Sequence, residues 1–353
     1  MPDNRFPIRI SIVIPVYNTV QYLDQCLSSI ACQTYKNFDV FTVDDNSSDG
    51  SLEILKKWEL KDKRYHLVRN LKKGVSNARN AGIDATINFP SKFNFIYFMD
   101  SDDYLDNNVF ERSIKELTLH NANYAVFSVN KVTKSSESKQ KSHFSNHHSN
   151  VIDHDEIVKQ YFGMTDFYRN HPSAAHFLNN KIFAINVIAN IRFDPSLKRG
   201  GDADFFLKIL PNLTKGVLIQ DIWYNYRLRQ SSITCQIKYS GVFDAYLNAY
   251  ATLNKRCNLE KIAILNGLID SIWMKLRQIA SSHEDDRLFF SELERYKSIN
   301  IKPYKTNLSS LKRKFILDLP ACIVKTFFIL RERFTTHLSL TSIILNKRPS
   351  ISF

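Results

Sequence analysis

Three carboxylates within four residues, Asp100-Ser101-Asp102-Asp103, close the apolar run Phe95-Ile96-Tyr97-Phe98-Met99. That run reads as a strand buried on both faces. Acidic side chains this close repel one another, and they stay ionised only beside a hard cation or cationic partners. The ends of parallel strands are also where open α/β sheets build their ligand sites. The simplest chemistry is a Mg2+ or Mn2+ site that holds a phosphorylated ligand. An acidic turn opening the next helix would use the same residue types.

Three further motifs sit where strands are expected to end. Pro15 and Tyr17 leave the first strand in Ile14-Pro15-Val16-Tyr17-Asn18. Pro15 has no backbone donor and is expected to end the ladder there. Tyr17 offers a flat face for a base, or simply packs in a strand-to-helix turn. The second motif is Asp44-Asp45-Asn46-Ser47-Ser48-Asp49-Gly50. A carboxylate here can accept from the N3–H of a uracil, while the Asn and Ser residues read equally well as turn and cap chemistry. The third is Gly74-Val75-Ser76-Asn77-Ala78-Arg79-Asn80-Ala81-Gly82. Arg79, near a helix start, is placed to reach a diphosphate or a base, and Asn77 and Asn80 fix the loop.

The elements that must position these residues alternate. Strands are predicted at Ile8–Pro15, Phe38–Val43, Tyr65–Val68 and Phe93–Met99, with helices at Val20–Gln33, Ser51–Trp58 and Gly74–Thr86 between them. Strands separated by helices imply a parallel sheet with helices on both faces. Residues 111–130 give a helix and then a strand, Tyr124–Val129. Lys131–Asn150 is polar, and its histidines (His143, His147, His148) fit a solvated loop better than a metal site. A last strand, Val217–Ile222, is expected to lead into a basic loop at Tyr226-Arg227-Leu228-Arg229. From about residue 236 the pattern is helical.

With 353 residues there is room for a substantial core. The net charge of +13 favours an anionic partner such as nucleic acid, a membrane surface or a phosphorylated substrate. Five cysteines without a CxxC pair give no sign of a zinc or disulfide framework and fit a reduced compartment. Neither G-x-G-x-x-G nor G-x-x-x-x-G-K-[ST] occurs among the nine glycines, which disfavours a dinucleotide-binding Rossmann domain and a P-loop. The first apolar stretch reads as a strand, not a signal peptide. No run nears the roughly 18 apolar residues of a spanning helix. Beyond Ile299, ten basic residues face two acidic ones and alternate with Phe315-Ile316-Leu317 and Phe327-Phe328-Ile329-Leu330. That mixture suits an interfacial helix on an anionic leaflet, or a helical cap with a solvated basic face. The expected location is cytoplasmic, with peripheral contact to the inner face of the cytoplasmic membrane.

Taken in order, IPVYN, DDNSSDG, SNARNAG and FMDSDDYL resemble a family 2 glycosyltransferase. The resemblance is strong over residues 8–130. It reappears at Asn179-Asn180-Lys181-Ile182-Phe183, at Arg199-Gly200-Gly201-Asp202-Ala203-Asp204-Phe205 and at Tyr224–Thr234. It implies a mostly parallel, Rossmann-like α/β fold of the glycosyltransferase A type with a C-terminal helical extension. Residues 1–235 would form the catalytic domain (nucleotide half about 8–105, acceptor half about 106–235), and 236–353 a basic helical region. It further implies a UDP-sugar donor, Mn2+ or Mg2+, inversion at the anomeric carbon, and a glycan or lipid-linked acceptor. Bacterial enzymes of this kind build capsule, lipopolysaccharide and related polysaccharides.

Carried over by position, Pro15, Tyr17, Asp45 and Arg79 would bind the nucleotide. Asp100 and Asp102 match the DxD pair, and Asp102 with Asp103 would hold the metal. The family's base lies in a Gly-Glu-Asp-x-x-Phe-like stretch. Here Gly201 stands at the Glu position, Asp202 survives as the candidate base and Asp204 is the fallback. In the basic loop after the last strand, Arg227 or Arg229 would close over the diphosphate, or the loop is simply a basic stretch of surface. Gly201 also leaves open an inactive glycosyltransferase-like scaffold. A basic nucleic-acid-binding protein is the remaining rival, although no RNA-binding aromatic motif is present.

Overall fold

A computed structural model describes residues 8–133, 149–164, 177–197, 199–228, 242–282, 286–299, 308–321, 323–325 and 327–328. The chain opens with β1 (Ile10–Val16), α1 (Val20–Ala31), β2 (Phe38–Asp44), α2 (Ser51–Lys61), β3 (Tyr65–Arg69), α3 (Val75–Ile87) and β4 (Phe95–Phe98). After the acidic turn come β5 (Tyr104–Leu105), α4 (Val109–Leu119), β6 (Tyr124–Val132), β7 (Ser149–Asp153) and α5 (His154–Tyr161). Then follow β8 (Lys181–Ala184), α6 (Ile185–Ile188), α7 (Gly201–Ile209) and β9 (Lys215–Arg227). The described C-terminal helices are α8 (Val242–Ala251), α9 (Asn258–Ser282), α10 (Asp286–Lys297) and α11 (Leu308–Leu317).

The strands form one sheet in the order β3-β2-β1-β4-β8-β6-β9-β5, with β7 also paired to β9. β3, β2, β1 and β4 run parallel. Beyond β4 the sheet is mixed: β8 is antiparallel to both β4 and β6, and β6 is parallel to β9. Every residue of β1 is buried, as a strand covered on both faces requires. Its side chains alternate between two cores. Ile10, Ile12, Ile14 and Val16 join Leu23, Cys26, Leu27 and Ile30 of α1 on one face. Val13 meets Ile83, Ile96 and Phe98 on the other. The spacing of the four buried α1 residues, i, i+3, i+4 and i+7, makes that helix lie flat on the sheet. Gly82 lets α3 approach β1: a Cβ there would lie 2.3 Å from Val13 Cγ1.

Two boundaries differ from expectation. β1 does not stop at Pro15; it stays in register with β2 through Val16, and Val16 O accepts from Asp45 N at 2.8 Å. Residues 13 and 15 share a strand edge by the period of two, and β4 pairs along that edge only as far as Val13. Pro15 thus offers no donor on the edge where the β1–β4 ladder ends, just beyond the bond from Met99 N to Val13 O at 3.1 Å. β9 likewise continues past Ile222 to Arg227. Its register against β6 jumps from Phe127↔Ile219 to Ser128↔Trp223, skipping Gln220, Asp221 and Ile222. This bulge lets the first half of β9 pair with β7 and the second with β5. The expected polar loop is shorter than 131–150 because β6 and β7 occupy its ends; His143, His147 and His148 lie outside the described residues.

A third core unites Ala203 and Leu207 of α7 with α8–α11. Leu317, Val324 and Phe328 are fully buried in it, and Phe328 packs 4.6 Å from Trp273. Three of its basic groups are ion-paired: Arg313 with Asp270, Lys314 with Asp318, and Lys325 with Asp286. Surface pairs of this kind contribute about 0–1 kcal/mol, whereas each buried aromatic contributes roughly 1.5–3. Apolar packing therefore anchors this segment as a helical cap. Phe315 and Ile323 remain outside it, 70% and 49% exposed. No described helix is long and apolar enough to cross a membrane.

Candidate active site

The carboxyl ends of β1, β2 and β4 lie side by side, and their loops are tied to one another. Asp49 caps two helices at once: Oδ2 accepts from Val20 N at 2.9 Å, and Oδ1 from Ser51 N at 3.0 Å and Ser51 Oγ at 2.6 Å. Partial burial raises its pKa, but these hydrogen bonds outweigh burial and hold it below the ordinary carboxylate value. Asn18 and Asn46 take left-handed φ values of 50° and 62°, which Asn tolerates. Asn18 Oδ1 accepts from Ser48 N at 2.8 Å. The Asn-Ser-Ser-Asp segment is thus the clasp that sets the loop.

Asp45 is buried. Its carboxylate accepts from Asn70 Nδ2 at 2.6 Å and from Gly74 N at 2.9 Å. Gly74 is the N-cap residue of α3 at φ 122°, so Asp45 fixes the helix that carries Arg79. Tyr17 is 42% exposed, and Lys73 Nζ stands 4.9 Å from its ring centroid. Sequence reasoning missed Asn70 and Lys73.

The acidic turn divides into separate tasks. Asp100 Oδ1 accepts from Arg79 Nη2 at 3.0 Å, and Oδ2 from Asn179 Nδ2 at 3.0 Å. Asp103 departs from the expected metal role: it has no exposed surface, and both oxygens are engaged, by Tyr224 Oη and by Arg227 N at 2.8 Å. It joins the acidic turn to β9. Burial, and then the charges of Asp102 and Asp100, push the Asp103 carboxyl well up. Burial also raises Asp100, with Arg79 opposing it and Asp102 and Asp202 adding to it. The Cys26 thiol is pushed up by burial and then by Asp103, Asp102 and Asp100. Negative charge is therefore crowded at the tip of β4. An oxygen-only donor set under such strain fits a hard divalent cation at Asp102, with Asp100 beside it.

Arg79 is the hub. Its side chain is 9% exposed, and Nη1 lies 2.6 Å from Asp202 Oδ1. The guanidinium also sits 5.3 Å from the Phe193 ring centroid. Asp202 occupies the first turn of α7 behind Gly200, whose φ is 81°. A Cβ at Gly201 would meet nothing closer than Ser76 Oγ at 3.5 Å, so packing does not forbid a larger residue there. The fallback base, Asp204, is instead structural: it is buried, pairs with Lys208 Nζ at 2.6 Å and accepts from Asn248 Nδ2 at 3.1 Å.

Arg227 ends β9 instead of standing in a loop. Its guanidinium lies 5.0 Å from the Tyr22 ring and 5.1 Å from the Tyr104 ring, and Nη2 donates to Gln25 Oε1 at 2.5 Å. Arg229 lies outside the described residues. Asn179 and Tyr224 hold Asp100 and Asp103, and only their place in the repeated motifs hinted at them.

The strand ends, the acidic turn and the helix-borne arginine occur in the order that one family shares, and the model for "Glycosyl transferase family 2" matches residues 11–182. Over these residues the chain is similar to glycosyl transferase family 2. Asp202 and Arg227 lie beyond the matched family 2 segment. Among curated relatives, the chain is 29% identical over 233 residues to "Glycosyltransferase GlyA" of Streptococcus pneumoniae, an alignment covering 64% of this chain and 31% of GlyA. It is 34% identical over 118 residues to "Glycosyltransferase GlyG" of the same organism, covering 33% and 38%. The chain thus spans well under half the length of both relatives. The fold is similar to that of S. aureus TarS residues 1–349 in complex with UDP-GlcNAc: TM-score 0.63 at 18% identity, covering 82% of this chain and 80% of that one.

Proposed function

We propose that the chain is an inverting, metal-dependent glycosyltransferase that moves a sugar from a UDP-sugar to a hydroxyl of a glycan or lipid-linked acceptor. The observation that carries this reading is the Arg79 bridge. One buried guanidinium contacts both Asp100 at the tip of β4 and Asp202 at the start of α7. This bridge supports a reading in which Asp100, on the donor side, and Asp202, the candidate base, act on one bound substrate pair.

In this reading Asp45 and Tyr17 receive the base, one by hydrogen bonding and one by stacking, with Pro15 beside them. Asp102 and Asp100 would hold Mn2+ or Mg2+, which when bound neutralises charge on the departing diphosphate. Arg227 and Arg229 add positive charge on the same side. Asp202 takes the proton from the acceptor hydroxyl as that oxygen attacks the anomeric carbon. Arg79 holds the Asp202 carboxylate through Oδ1 and so fixes its direction. The donor assignment draws support from the UDP-GlcNAc complex of TarS. A role in cell-surface polysaccharide synthesis rests on the family resemblance alone. Contact with an anionic leaflet rests on exposed Phe315 and Ile323 within the basic C-terminal region.

Gly201 favours a second reading, an inactive scaffold, because it leaves a carboxylate out where there is room for one. The deciding experiment is a screen of nucleotide-sugars for UDP or GDP release with Mn2+, repeated with Asp102→Asn. The expected result is UDP release that requires metal and falls at least about 100-fold in the variant. No release from any donor would leave the scaffold reading standing.

A further inference from the structure

His154 begins α5, while Cys257 and Glu260 sit at the start of α9, 103 and 106 residues further along the chain. Their side chains converge. His154 Nε2 lies 3.8 Å from Cys257 Sγ and 3.4 Å from Glu260 Oε1, and the three donor atoms all fall within 4.8 Å of one another. We propose that His154, Cys257 and Glu260 form a Zn2+ site that staples the C-terminal helical cap to the sheet domain.

The spacing suits the ion. Zn–N and Zn–O bonds of about 2.0–2.1 Å and a Zn–S bond of about 2.3 Å, in tetrahedral geometry, put N and O roughly 3.4 Å apart and N and S roughly 3.5–3.6 Å apart. One N, one S and one O donor is a mixture that borderline-soft zinc accepts, whereas Mg2+ and Ca2+ take oxygen alone. The ring of His154 is oriented as metal-bound imidazoles are: Nδ1 lies 2.7 Å from Leu213 O, just ahead of β9. That carbonyl only accepts, so Nδ1 carries the proton, and in the neutral ring Nε2 presents its lone pair to the cluster.

Capping accounts for part of the arrangement and leaves the rest. Cys257 N donates to Glu260 Oε2 at 3.3 Å, and Glu260 N donates to Cys257 Sγ at 3.5 Å, a reciprocal box at the start of α9. Glu260 is 2% exposed, and its other oxygen, Oε1, is buried without a hydrogen bond. This is the oxygen aimed at His154. The Arg256 guanidinium stands 3.9 Å from it and offsets part of the local negative charge. Cys257 is exposed, so a water molecule would complete the tetrahedron from the solvent side. The ligands come from α5, which packs on β7 and β9, and from α9, the longest helix of the third core. Bound zinc would therefore oppose separation of cap from sheet.

The test uses the full chain, stripped with a chelator and titrated with Co2+ as a spectroscopic stand-in for zinc, together with melting curves in Zn2+. The expected result is a thiolate-to-cobalt charge-transfer absorption saturating at about one equivalent per chain. It should disappear in Cys257→Ser and weaken in His154→Gln, yet persist in Asp102→Asn, since carboxylates alone give no such absorption. Zn2+ should raise the melting temperature of the unsubstituted chain and not that of Cys257→Ser. Absence of the thiolate absorption, its survival in Cys257→Ser, or an equal Zn2+ shift in both proteins overturns the site. None of these readouts involves a sugar nucleotide, so they stand apart from the transferase activity.

Discussion

Arg79 Nη1 and Asp202 Oδ1 are 2.6 Å apart although 123 residues separate them in the chain. The contact fixes α3, which starts at the amide held by Asp45, to the first turn of α7. It also means that any change at Arg79 disturbs two carboxylates at once.

Replacing Arg79 with Gln should therefore destabilise the fold near the lower end of about 3–5 kcal/mol, because two partly buried carboxylates lose their cation. Urea unfolding measures this directly. Arg79→Lys keeps a charge but loses the planar fork, so it should recover part of the stability and little of the turnover. A variant as stable as the original protein would contradict the hub.

Asp202→Asn preserves shape and can still accept from Arg79 but loses the charge, so its unfolding free energy should fall by about 1–2 kcal/mol, with Asp100 still pairing the guanidinium. Turnover should fall roughly 100- to 10,000-fold if this carboxylate is the base. Nucleotide-dependent thermal stabilisation should persist. Loss of nucleotide binding together with turnover would assign Asp202 to the donor site instead.

Asp49 links stability to acid. Its pKa is lower in the fold than in the unfolded chain, so its contribution is complete above the ordinary carboxylate value near 3.8 and is lost as pH falls through the folded value. Asp49→Ala should cost about 0.5–2 kcal/mol per lost cap at pH 7. The difference between the two proteins should shrink when unfolding is repeated toward pH 3. A constant difference would mean that the capping charge does not matter.

Lys181 links stability to pH in the opposite range. It is fully buried, with Nζ donating to Phe177 O at 2.7 Å and Asn180 Oδ1 at 2.6 Å. Burial lowers its pKa to about 7, with Asp202 opposing the shift. Between that value and the unfolded value near 10.5 the unfolded chain holds more protons, so folding becomes more favourable as pH rises. Compared with Lys181→Met, the original protein should gain up to about 1.4 kcal/mol per pH unit across pH 7.5–9. Parallel stability curves would show that the ammonium stays charged in place.

Much of the first half was legible because its signals are local. β2 and β3 match their sequence ranges within a residue, and α1 ends two residues short of its range, since apolar runs and i, i+3, i+4 spacing need only a short window. β5, β7, β8 and the second half of β9 gave no such signal. They are short or bulged, and they exist only because a strand distant in sequence offers them an edge.

The same division runs through the site. Residue types and their order determined that Asp45, Asp100 and Asp102 would stand at strand ends and that Arg79 would ride on the following helix. Tertiary structure alone decided how adjacent acids differ: Asp103 turns into the core against Tyr224 and Arg227, while Asp100 faces Arg79 and Asn179. It also separated Asp202 from Asp204, and gathered His154, Cys257 and Glu260 from two distant helices. The physical reason is that a carboxylate's role follows from its burial and its partners, and the partners that distinguish these acids, Asn179 for Asp100, Tyr224 and Arg227 for Asp103 and Arg79 for Asp202, lie 79 to 124 residues away in the chain.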